Sequence, residues 1–515
     1  MKNLLKTPDE LIEYLNIEKL NNDIYRLGKL FTTENGYYFY DTGTGKVIQF
    51  EKIIYDILIA FFKNDLYIFN KDILLNLEIK HFFDIAINEH LFQAPDVPML
   101  YQREHYEDLP KQLEDNIQQI ILEVTGKCNL RCKYCIYNDS YSENRDFNNE
   151  NMTWETAKSA IDYLAIHGAD EIVIGFYGGE PLLRYDLIKK CIEYSKSILT
   201  NKKITYSFTT NCTLLTEEMA QYFSTVDGIS IMCSIDGPKD IHDEYRRDFY
   251  DEGSFDRAIK GLFTLVTAFE AEGSNSAKNI SINSVFTPPF TYEKAKKIYQ
   301  YFKELSWLPQ DVNIQLETVR NGTIKEIQND PNYKKLSENP IWNLGKSAYL
   351  NDSLPPEDKL KDRMFVTAIQ SYLINIHKRF ISDFPVQNYP FNGCCVPGAR
   401  RLYINTFGEL YLCERIENSP SIGNIQKGID IQEVFNKYVT EYSNNSIEQC
   451  KKCWAIRLCR VCYAECYNNN GIDKDEKLSV CYATRKSIES SLKLYHEIME
   501  KCPDKLDELN HIVTV

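Results

Sequence analysis

The sequence predicts an α/β fold organised around a parallel β-sheet. Apolar, strand-like runs alternate with amphipathic helical stretches between residues 120 and 316. Such alternation implies a parallel sheet, because each helix returns the chain to the end of the sheet where the next strand begins. A loop with three cysteines directly follows the first run, at residues 128–135. Because α/β folds bind ligands beyond the carboxyl ends of their strands, this loop is the predicted centre of the chemistry.

Six strand-like runs can be assigned from their apolar and β-branched residues. Strands are predicted at residues 120–124, 171–176, 204–208, 229–235, 279–286 and 312–316, and helices at 153–166, 187–198, 217–223, 254–272 and 292–305. The expected core is therefore a sheet of six β–α units.

The cysteine loop has the spacing C-x3-C-x2-C, formed by Cys128, Cys132 and Cys135. Three thiolates can hold three irons of a four-iron cluster and leave the fourth iron free for another ligand. With Tyr134 before the last cysteine, the loop resembles the signature of the radical S-adenosylmethionine (radical SAM) superfamily. In that family SAM binds the open iron and is cleaved to a 5′-deoxyadenosyl radical, which abstracts a hydrogen atom from the substrate. The alternative is a zinc site, although zinc motifs usually pair C-x2-C with a second such pair.

A second motif, Gly178-Gly179-Glu180-Pro181, follows the second predicted strand. Glycines at a strand end let the backbone approach a ligand closely, and a carboxylate there can pair with an ammonium group. The string resembles the GGEP motif that contacts the SAM amino group in radical SAM enzymes. The alternative is a simple tight turn.

Polar residues end two later strands. The run that starts at Ser234, with Arg246 beyond it, resembles the corresponding run of sulfatase maturases and peptide maturases. The resemblance implies that Ser234 and Asp236 lie at the SAM site, that Arg246 pairs with the SAM carboxylate, and that Asn283 contacts the ribose. The alternative for Arg246 is a surface ion pair with a neighbouring acidic residue.

Nine cysteines crowd one region of the C-terminal third: Cys394, Cys395, Cys413, Cys450, Cys453, Cys459, Cys462, Cys466 and Cys481. A β-hairpin predicted at residues 401–412 and the C-x2-C-x5-C spacing after it resemble the SPASM extension, which holds two auxiliary four-iron clusters. The resemblance implies one cluster on Cys450, Cys453, Cys459 and Cys481, and another on Cys395, Cys413 and either Cys462 or Cys466, with Cys394 as an extra candidate. Tyr463 stands where the common pattern has a cysteine, so the fourth ligand of that cluster is left open. The alternative is a pair of zinc knuckles.

The first hundred residues predict a separate α+β unit. Strands are predicted at residues 24–31, 37–41 and 46–50, helices at 51–62 and 82–90, and a linker at 96–112. The pattern resembles the winged-helix-like precursor-recognition element found beside peptide-modifying radical enzymes, where a leader peptide adds a strand to a sheet edge. The alternative is a structural cap with no ligand.

The predicted architecture combines these parts. Residues 1–112 form the precursor peptide recognition-like domain, 113–318 a partial (β/α)6 TIM barrel, 319–392 a helical bridge, and 393–515 the SPASM domain with two auxiliary clusters.

Composition limits the cellular context. The chain has 59 basic and 74 acidic residues, a net charge of −15, which argues against a nucleic-acid-binding surface. Its longest apolar stretch is too short to span a bilayer, and early acidic residues do not suit a signal peptide. A cytoplasmic protein with no membrane association is expected. Its 16 cysteines then indicate metal or redox chemistry.

Together these resemblances predict an enzyme with three four-iron clusters and SAM that modifies a ribosomally made peptide. The leading prediction is a crosslink, a thioether between a cysteine sulfur and a carbon of another residue. Expected partners are the precursor peptide and an electron donor such as flavodoxin or ferredoxin. The alternatives are a carbon–carbon peptide cyclase, a sulfatase-maturase-like enzyme that forms formylglycine, and an iron–sulfur scaffold without enzymatic activity.

Overall fold

A computed structural model describes residues 10, 19–20, 24–63, 76–138, 147–273, 276–319, 324, 339–416 and 418–512 of the chain. Its N-terminal part begins with two short paired strands, β1 (Lys19–Leu20) and β2 (Ile24–Tyr25). An antiparallel sheet follows, made of β3 (Gly28–Thr32), β4 (Tyr37–Asp41) and β5 (Val47–Phe50), with β4 in the middle. Helices α1 (Lys52–Phe62) and α2 (Leu77–Asn88) complete this unit.

The N-terminal unit agrees with the predicted element order in its described residues, and two boundaries differ. The first predicted strand is divided between β2 and β3, and α2 starts five residues earlier than predicted, at Leu77 instead of residue 82. The Asn76 side chain accepts hydrogen bonds from the amides of Glu78 and Ile79, and this N-cap explains the early start.

This unit packs directly on the C-terminal part of the chain. Tyr38 Oη donates to Glu500 Oε1 (2.6 Å), and Thr42 Oγ1 donates to Trp454 O (3.0 Å). Arg457 also donates from Nη1 to a backbone carbonyl of the turn after β4 (2.7 Å). Buried aromatic and polar contacts therefore hold the first and last parts of the sequence together.

The segment predicted as a linker is partly folded. It contains the start of α3 (Leu109–Asp115), and the side chains of Leu109 and Leu113 are buried in the main core. The linker prediction is wrong here because Leu109 and Leu113, four residues apart, give this otherwise polar stretch one apolar helical face.

The central sheet has the predicted six parallel strands: β6 (Ile117–Thr125), β7 (Gly168–Gly178), β8 (Lys203–Thr210), β9 (Ile229–Ser234), β10 (Ile280–Phe286) and β11 (Asn313–Thr318). They lie side by side in chain order. The intervening helices are α4 (Trp154–His167), α5 (Tyr185–Ile198), α6 (Glu217–Ser224), α7 (Lys239–Tyr245), α8 (Phe255–Ala271) and α9 (Ser276–Asn279), with α10 (Tyr292–Glu304) between β10 and β11. The predicted alternation of strands and helices is confirmed.

One strand of the C-terminal region extends this sheet. After α11 (Pro340–Leu350) and α12 (Met364–His377), strand β12 (Leu402–Ile404) pairs in parallel with β6, Leu402 opposite Ile120. Strands β13 (Glu409–Tyr411), β14 (Gly423–Asn424) and β15 (Gly428–Ile429) continue from it, antiparallel, to give ten strands. The hairpin itself was predicted from sequence, but its pairing with β6 was not.

The remaining helices are α13 (Ile431–Val434), α14 (Glu441–Cys450) and the long α15 (Lys474–Lys501), with the two-stranded pair β16 (Tyr467–Asn468) and β17 (Gly471–Ile472) between the last two. Asp473 caps α15 by accepting from the amides of Asp475 and Glu476. Across the described residues, no helix has both the length and the apolar character needed to cross a bilayer.

Candidate active site

The cysteine loop leaves β6 and is held against the segment that follows α7. The Arg131 amide donates to Arg247 O (2.6 Å), and the Lys133 amide donates to Tyr245 O (2.9 Å). The Arg131 guanidinium also lies over the ring of Phe249, 3.6 Å from its centroid. The cysteine loop is therefore held by residues at and after the end of α7, which are not part of the sheet.

The three thiols of this loop, Cys128, Cys132 and Cys135, line one cavity of about 330 Å³ and are free of disulfides. Burial raises the pKa of all three, that of Cys132 to about 12, and the carboxylate of Glu180 adds to the effect at Cys128. The thiols are therefore protonated in the metal-free chain. Binding of a metal cluster must release these protons.

The glycines at the end of β7 are required by close packing against the cysteine loop. A Cβ on Gly179 would lie 2.2 Å from Lys127 O and 2.8 Å from the amide nitrogen of Cys128. Gly178 has a φ of +143°, which disfavours other residues. The Gly-Gly pair thus lets the strand end lie directly beside the first cysteine, which the alternative of a simple tight turn does not require.

Glu180 is almost fully buried and its carboxylate already has three donors. Oε1 accepts from the Leu182 amide (3.1 Å) and Thr210 Oγ1 (2.8 Å), and Oε2 accepts from the Asn211 amide (2.8 Å). Burial raises its pKa to about 7 against the opposing effect of these hydrogen bonds. A carboxylate accepts about four hydrogen bonds, so Glu180 keeps capacity for a ligand ammonium while it joins the ends of β7 and β8.

Asp236 connects the cysteine loop to two other elements. Its Oδ2 accepts from Tyr134 Oη (2.5 Å) and from Arg246 Nε (3.0 Å), and its Oδ1 accepts from the Val285 amide (3.1 Å). Arg246 is buried, so the alternative of a surface ion pair is wrong. The adjacent His242 is also buried, which lowers its pKa to about 4 and leaves it neutral.

Most of the residues predicted to bind the cofactor reach the same cavity as the three cysteines. Ser234 and Asn283 lie opposite each other on neighbouring strands β9 and β10. Asp236 is the exception: its buried carboxylate contacts two lining residues, Tyr134 and Arg246, but is not itself part of the lining. The predicted cofactor residues that line the cavity are Tyr134, Gly178, Gly179, Glu180, Ser234, Arg246 and Asn283.

Asn211 and Glu317 are among the lining residues that the sequence predictions did not assign. Asn211, at the end of β8, lines the cavity and donates from Nδ2 to Asn129 Oδ1 of the cysteine loop (2.9 Å). Glu317, at the end of β11, also lines it; burial raises its pKa, and the Arg415 guanidinium acts against that effect. Their signal was their position at a strand end, where Gly178, Gly179 and Ser234 also lie.

Four of the C-terminal cysteines form one group. Burial raises the pKa of the Cys459 thiol well above its usual range, and the nearby Cys450, Cys453 and Cys481 contribute to that rise. Burial raises the pKa of the Cys453 thiol to about 12, and Cys450 and Cys481 contribute to that rise. Cys450 ends α14, and Cys481 lies on α15. We call these four residues the 450 group.

The other five C-terminal cysteines form a second group around Cys462. Its pKa is raised by burial and, among other charges, by Cys395. Cys462 in turn contributes to the raised pKa of Cys413, Cys466 and Cys394. Cys395 precedes the β12–β13 hairpin and Cys413 follows it, so the hairpin brings them close to each other. We call these five residues the 462 group.

The chemistry of these donor sets fits iron–sulfur clusters. Three thiols share one cavity with polar groups, and nine thiols are divided between the 450 group and the 462 group. Within the described parts of the chain, no three Cys, His, Asp or Glu side chains are grouped so as to hold a single metal ion. A four-iron cluster spaces its thiolates more widely than one ion does, because each thiolate binds a different iron.

Sequence and structure comparisons place these features in a known context. The family described as Radical SAM superfamily matches residues 122–302. An uncharacterized protein of Methanocaldococcus jannaschii is 30% identical over 311 residues, covering 60% of this chain and 90% of that protein. The cysteine-type anaerobic sulfatase-maturating enzyme of Clostridium novyi is 27% identical over 361 residues, covering 67% of this chain and 87% of the enzyme.

Solved structures show the same fold. Native anSMEcpe with bound AdoMet is 22% identical, with a TM-score of 0.52, and covers 77% of this chain and 100% of that one. The same protein solved with AdoMet and the Cp18Cys peptide gives 21% identity and a TM-score of 0.51 at the same coverage. With the cysteine loop, the Gly-Gly-Glu strand end and the family match all in one region, the chain belongs to the radical SAM superfamily, whose members use a four-iron cluster and SAM.

Proposed function

We propose that this chain is a radical SAM maturase that installs a crosslink in a ribosomally made peptide, namely a thioether between a cysteine sulfur and a carbon of another residue. One observation carries the proposal: the cavity that contains the three loop cysteines extends to Glu317, whose charge responds to Arg415. Arg415 lies two residues after Cys413. The Arg415 guanidinium also opposes the rise in the pKa of Cys462. Arg415 therefore links the edge of the cavity to the 462 group, and we propose that one peptide reaches both.

The residues proposed to hold the cofactors follow from this arrangement. Cys128, Cys132 and Cys135 hold the first cluster, and the cavity beside them holds SAM against Glu180, Ser234, Arg246 and Asn283. When bound, cluster and SAM supply a carbon radical that removes a hydrogen atom from the substrate. The chain itself orients the reacting carbon and excludes water from the cavity.

The two C-terminal groups are proposed to hold auxiliary clusters. The 450 group supplies four thiolates, and the 462 group supplies Cys395, Cys413 and Cys462, with Cys466 or Cys394 as the fourth candidate. Formation of the thioether removes a hydrogen atom from the peptide carbon and a proton from the peptide thiol, joins carbon to sulfur, and releases one electron. Acceptance of that electron is the chemistry that auxiliary clusters supply.

The N-terminal sheet is the proposed site for a leader peptide. Strand β5 pairs only with β4 in the described part of the chain, so its other edge presents backbone donors and acceptors. An extended peptide can add there as a fourth strand. We propose a flavodoxin or ferredoxin as the external electron donor, in line with the need for single electrons.

Formylglycine formation is the second candidate, and the similarity to the sulfatase-maturating enzyme of Clostridium novyi favours it. A carbon–carbon crosslink remains the third. The test is anaerobic incubation of the reconstituted chain with SAM, reductant and a small cysteine-containing peptide encoded beside it, followed by mass spectrometry. Loss of two hydrogens with a thiol that resists alkylation supports the thioether. The same loss with a thiol that still alkylates indicates a carbon–carbon bond, and loss of sulfur with a hydrazide-reactive aldehyde indicates formylglycine.

A further inference from the structure

A buried lysine lies between the two C-terminal cysteine groups. Lys477 is on α15, one helical turn before Cys481, so both side chains share one face of the helix. Its side chain is only 4% exposed, an unusual position for a lysine.

The ammonium of Lys477 is held in place by several contacts. Nζ lies 3.9 Å from Cys450 Sγ and 3.5 Å from Asn392 Oδ1, and it also donates to Ser446 Oγ. It lies 4.0 Å from the centroid of the Tyr442 ring. These contacts leave the charge in a single position beside the 450 group.

The charge of Lys477 acts on both cysteine groups. It opposes the rise in the pKa of Cys450 and Cys481 in the 450 group, and of Cys466 and Cys394 in the 462 group. Among the described residues, no carboxylate lies within ion-pair distance of its nitrogen. A buried charge is costly unless it is paired, so Lys477 lacks a counter-charge until the thiols around it become thiolates.

From this placement we propose that Lys477 raises the reduction potential of the cluster held by the 450 group and thereby makes it an acceptor for the electron released by the substrate. The inference rests on the proposed function, since it requires auxiliary clusters. A four-iron cluster that accepts one electron gains one negative charge. A fixed cation 3.9 Å from a ligand sulfur stabilises the reduced state more than the oxidised one, because net charge and hydrogen bonds to sulfur set the potentials of such clusters.

The test is a redox titration of the auxiliary clusters, followed by electron paramagnetic resonance. Cys128, Cys132 and Cys135 are all replaced by alanine, so that any remaining iron belongs to the C-terminal groups. In this background Lys477→Met removes the charge and keeps an unbranched side chain of similar length. We expect the reduced-to-oxidised ratio of one cluster to fall at least about tenfold at fixed potential, which is about 59 mV for a one-electron couple.

Two further variants control for changes in packing. Lys477→Arg keeps the charge and should restore most of the potential. Lys474→Met makes the same substitution on the exposed first turn of α15 and should leave the potential unchanged. If Lys477→Met fails to assemble its clusters, Lys477→Gln removes the charge but keeps a hydrogen-bond donor for Ser446 Oγ, and it should lower the potential in the same direction.

The outcomes distinguish a failure of the proposed auxiliary clusters from a failure of the proposed role of Lys477. Absence of iron from the background variant would overturn the auxiliary clusters and this inference together. Full iron content with midpoint potentials that do not move in Lys477→Met or Lys477→Gln would overturn the role of Lys477 alone. A lower potential that Arg restores would support it.

Discussion

Replacement of Asp236 by alanine should release the cysteine loop from the rest of the site. The substitution removes the acceptor of Tyr134 Oη, of Arg246 Nε and of the Val285 amide, and it leaves the buried Arg246 guanidinium without its counter-charge. Loss of one partner of a buried ion pair costs about 3–5 kcal/mol. Arg246 lies between Tyr245 and Arg247, whose carbonyls accept the two amide hydrogen bonds that hold the loop.

The assay is hydrogen exchange at the amides of the cysteine loop, measured by mass spectrometry, together with the yield of 5′-deoxyadenosine. A local cost of 3–5 kcal/mol corresponds to loop amides that exchange about a hundredfold to several thousandfold faster. The yield of 5′-deoxyadenosine should fall with it. The matched control is Asp240→Asn, since Asp240 pairs with Lys297 in solvent and such pairs contribute at most about 1 kcal/mol. Unchanged loop exchange and full SAM cleavage in Asp236→Ala would refute the reasoning.

Three further predictions concern the same cavity. Cys132→Ala should abolish 5′-deoxyadenosine formation, whereas Cys191→Ala, at a buried cysteine remote from all three cysteine sets, should retain it; activity in the first variant would remove the assignment of the cluster. Gly179→Ala should lower the iron content of the first cluster, because its Cβ would lie 2.2 Å from Lys127 O. The control Gly273→Ala has no atom within 4 Å of the added Cβ, so it should lower the free energy of unfolding by about 1 kcal/mol and leave the iron content unchanged. SAM affinity, measured by calorimetry between about pH 6 and pH 8, should fall as the pH drops below the pKa of Glu180 near 7, because an ammonium binds the ionised carboxylate. Above that pKa the affinity should be constant. Glu180→Gln should remove the pH dependence.

Local sequence patterns were sufficient for the central sheet. Each of its six parallel strands is a short apolar run bounded by a turn, and the five longer intervening helices have an apolar face, so hydrophobic periodicity located them. The short helices α7 and α9 were not predicted. The cysteine loop and the Gly-Gly-Glu strand end could be placed together because parallel strands present their carboxyl ends on one side. The structure brings these predicted residues to a single cavity, and their roles in SAM binding stay predictions.

Longer-range features could not be read from local patterns. Asp236 was predicted to lie at the SAM site. It is not among the residues that line the cavity, and its carboxylate holds Tyr134 and Arg246, so a contact of Asp236 with the cofactor stays a prediction. Nothing in a five-residue run distinguishes a side chain that meets a ligand from one that orients its neighbour. The charge of Lys477 was missed for a similar reason, since its spacing from Cys481 indicates a shared helix face but says nothing about what covers that face.

The pairing of β12 with β6 has a consequence for electron transfer that the sequence did not reveal. Strand β6 leads directly into the cysteine loop, and β12 and β13 are flanked by Cys395 and Cys413. Because backbone hydrogen bonds join these strands into one sheet, the proposed first cluster and the 462 group are attached to a common rigid element. Cys413 lies two residues after β13, so the register of Leu402 opposite Ile120 constrains its position relative to the cysteine loop. A peptide held in the cavity would meet the SAM site and the 462 group at fixed positions, and the electron it releases would pass through the 462 group to the cluster of the 450 group.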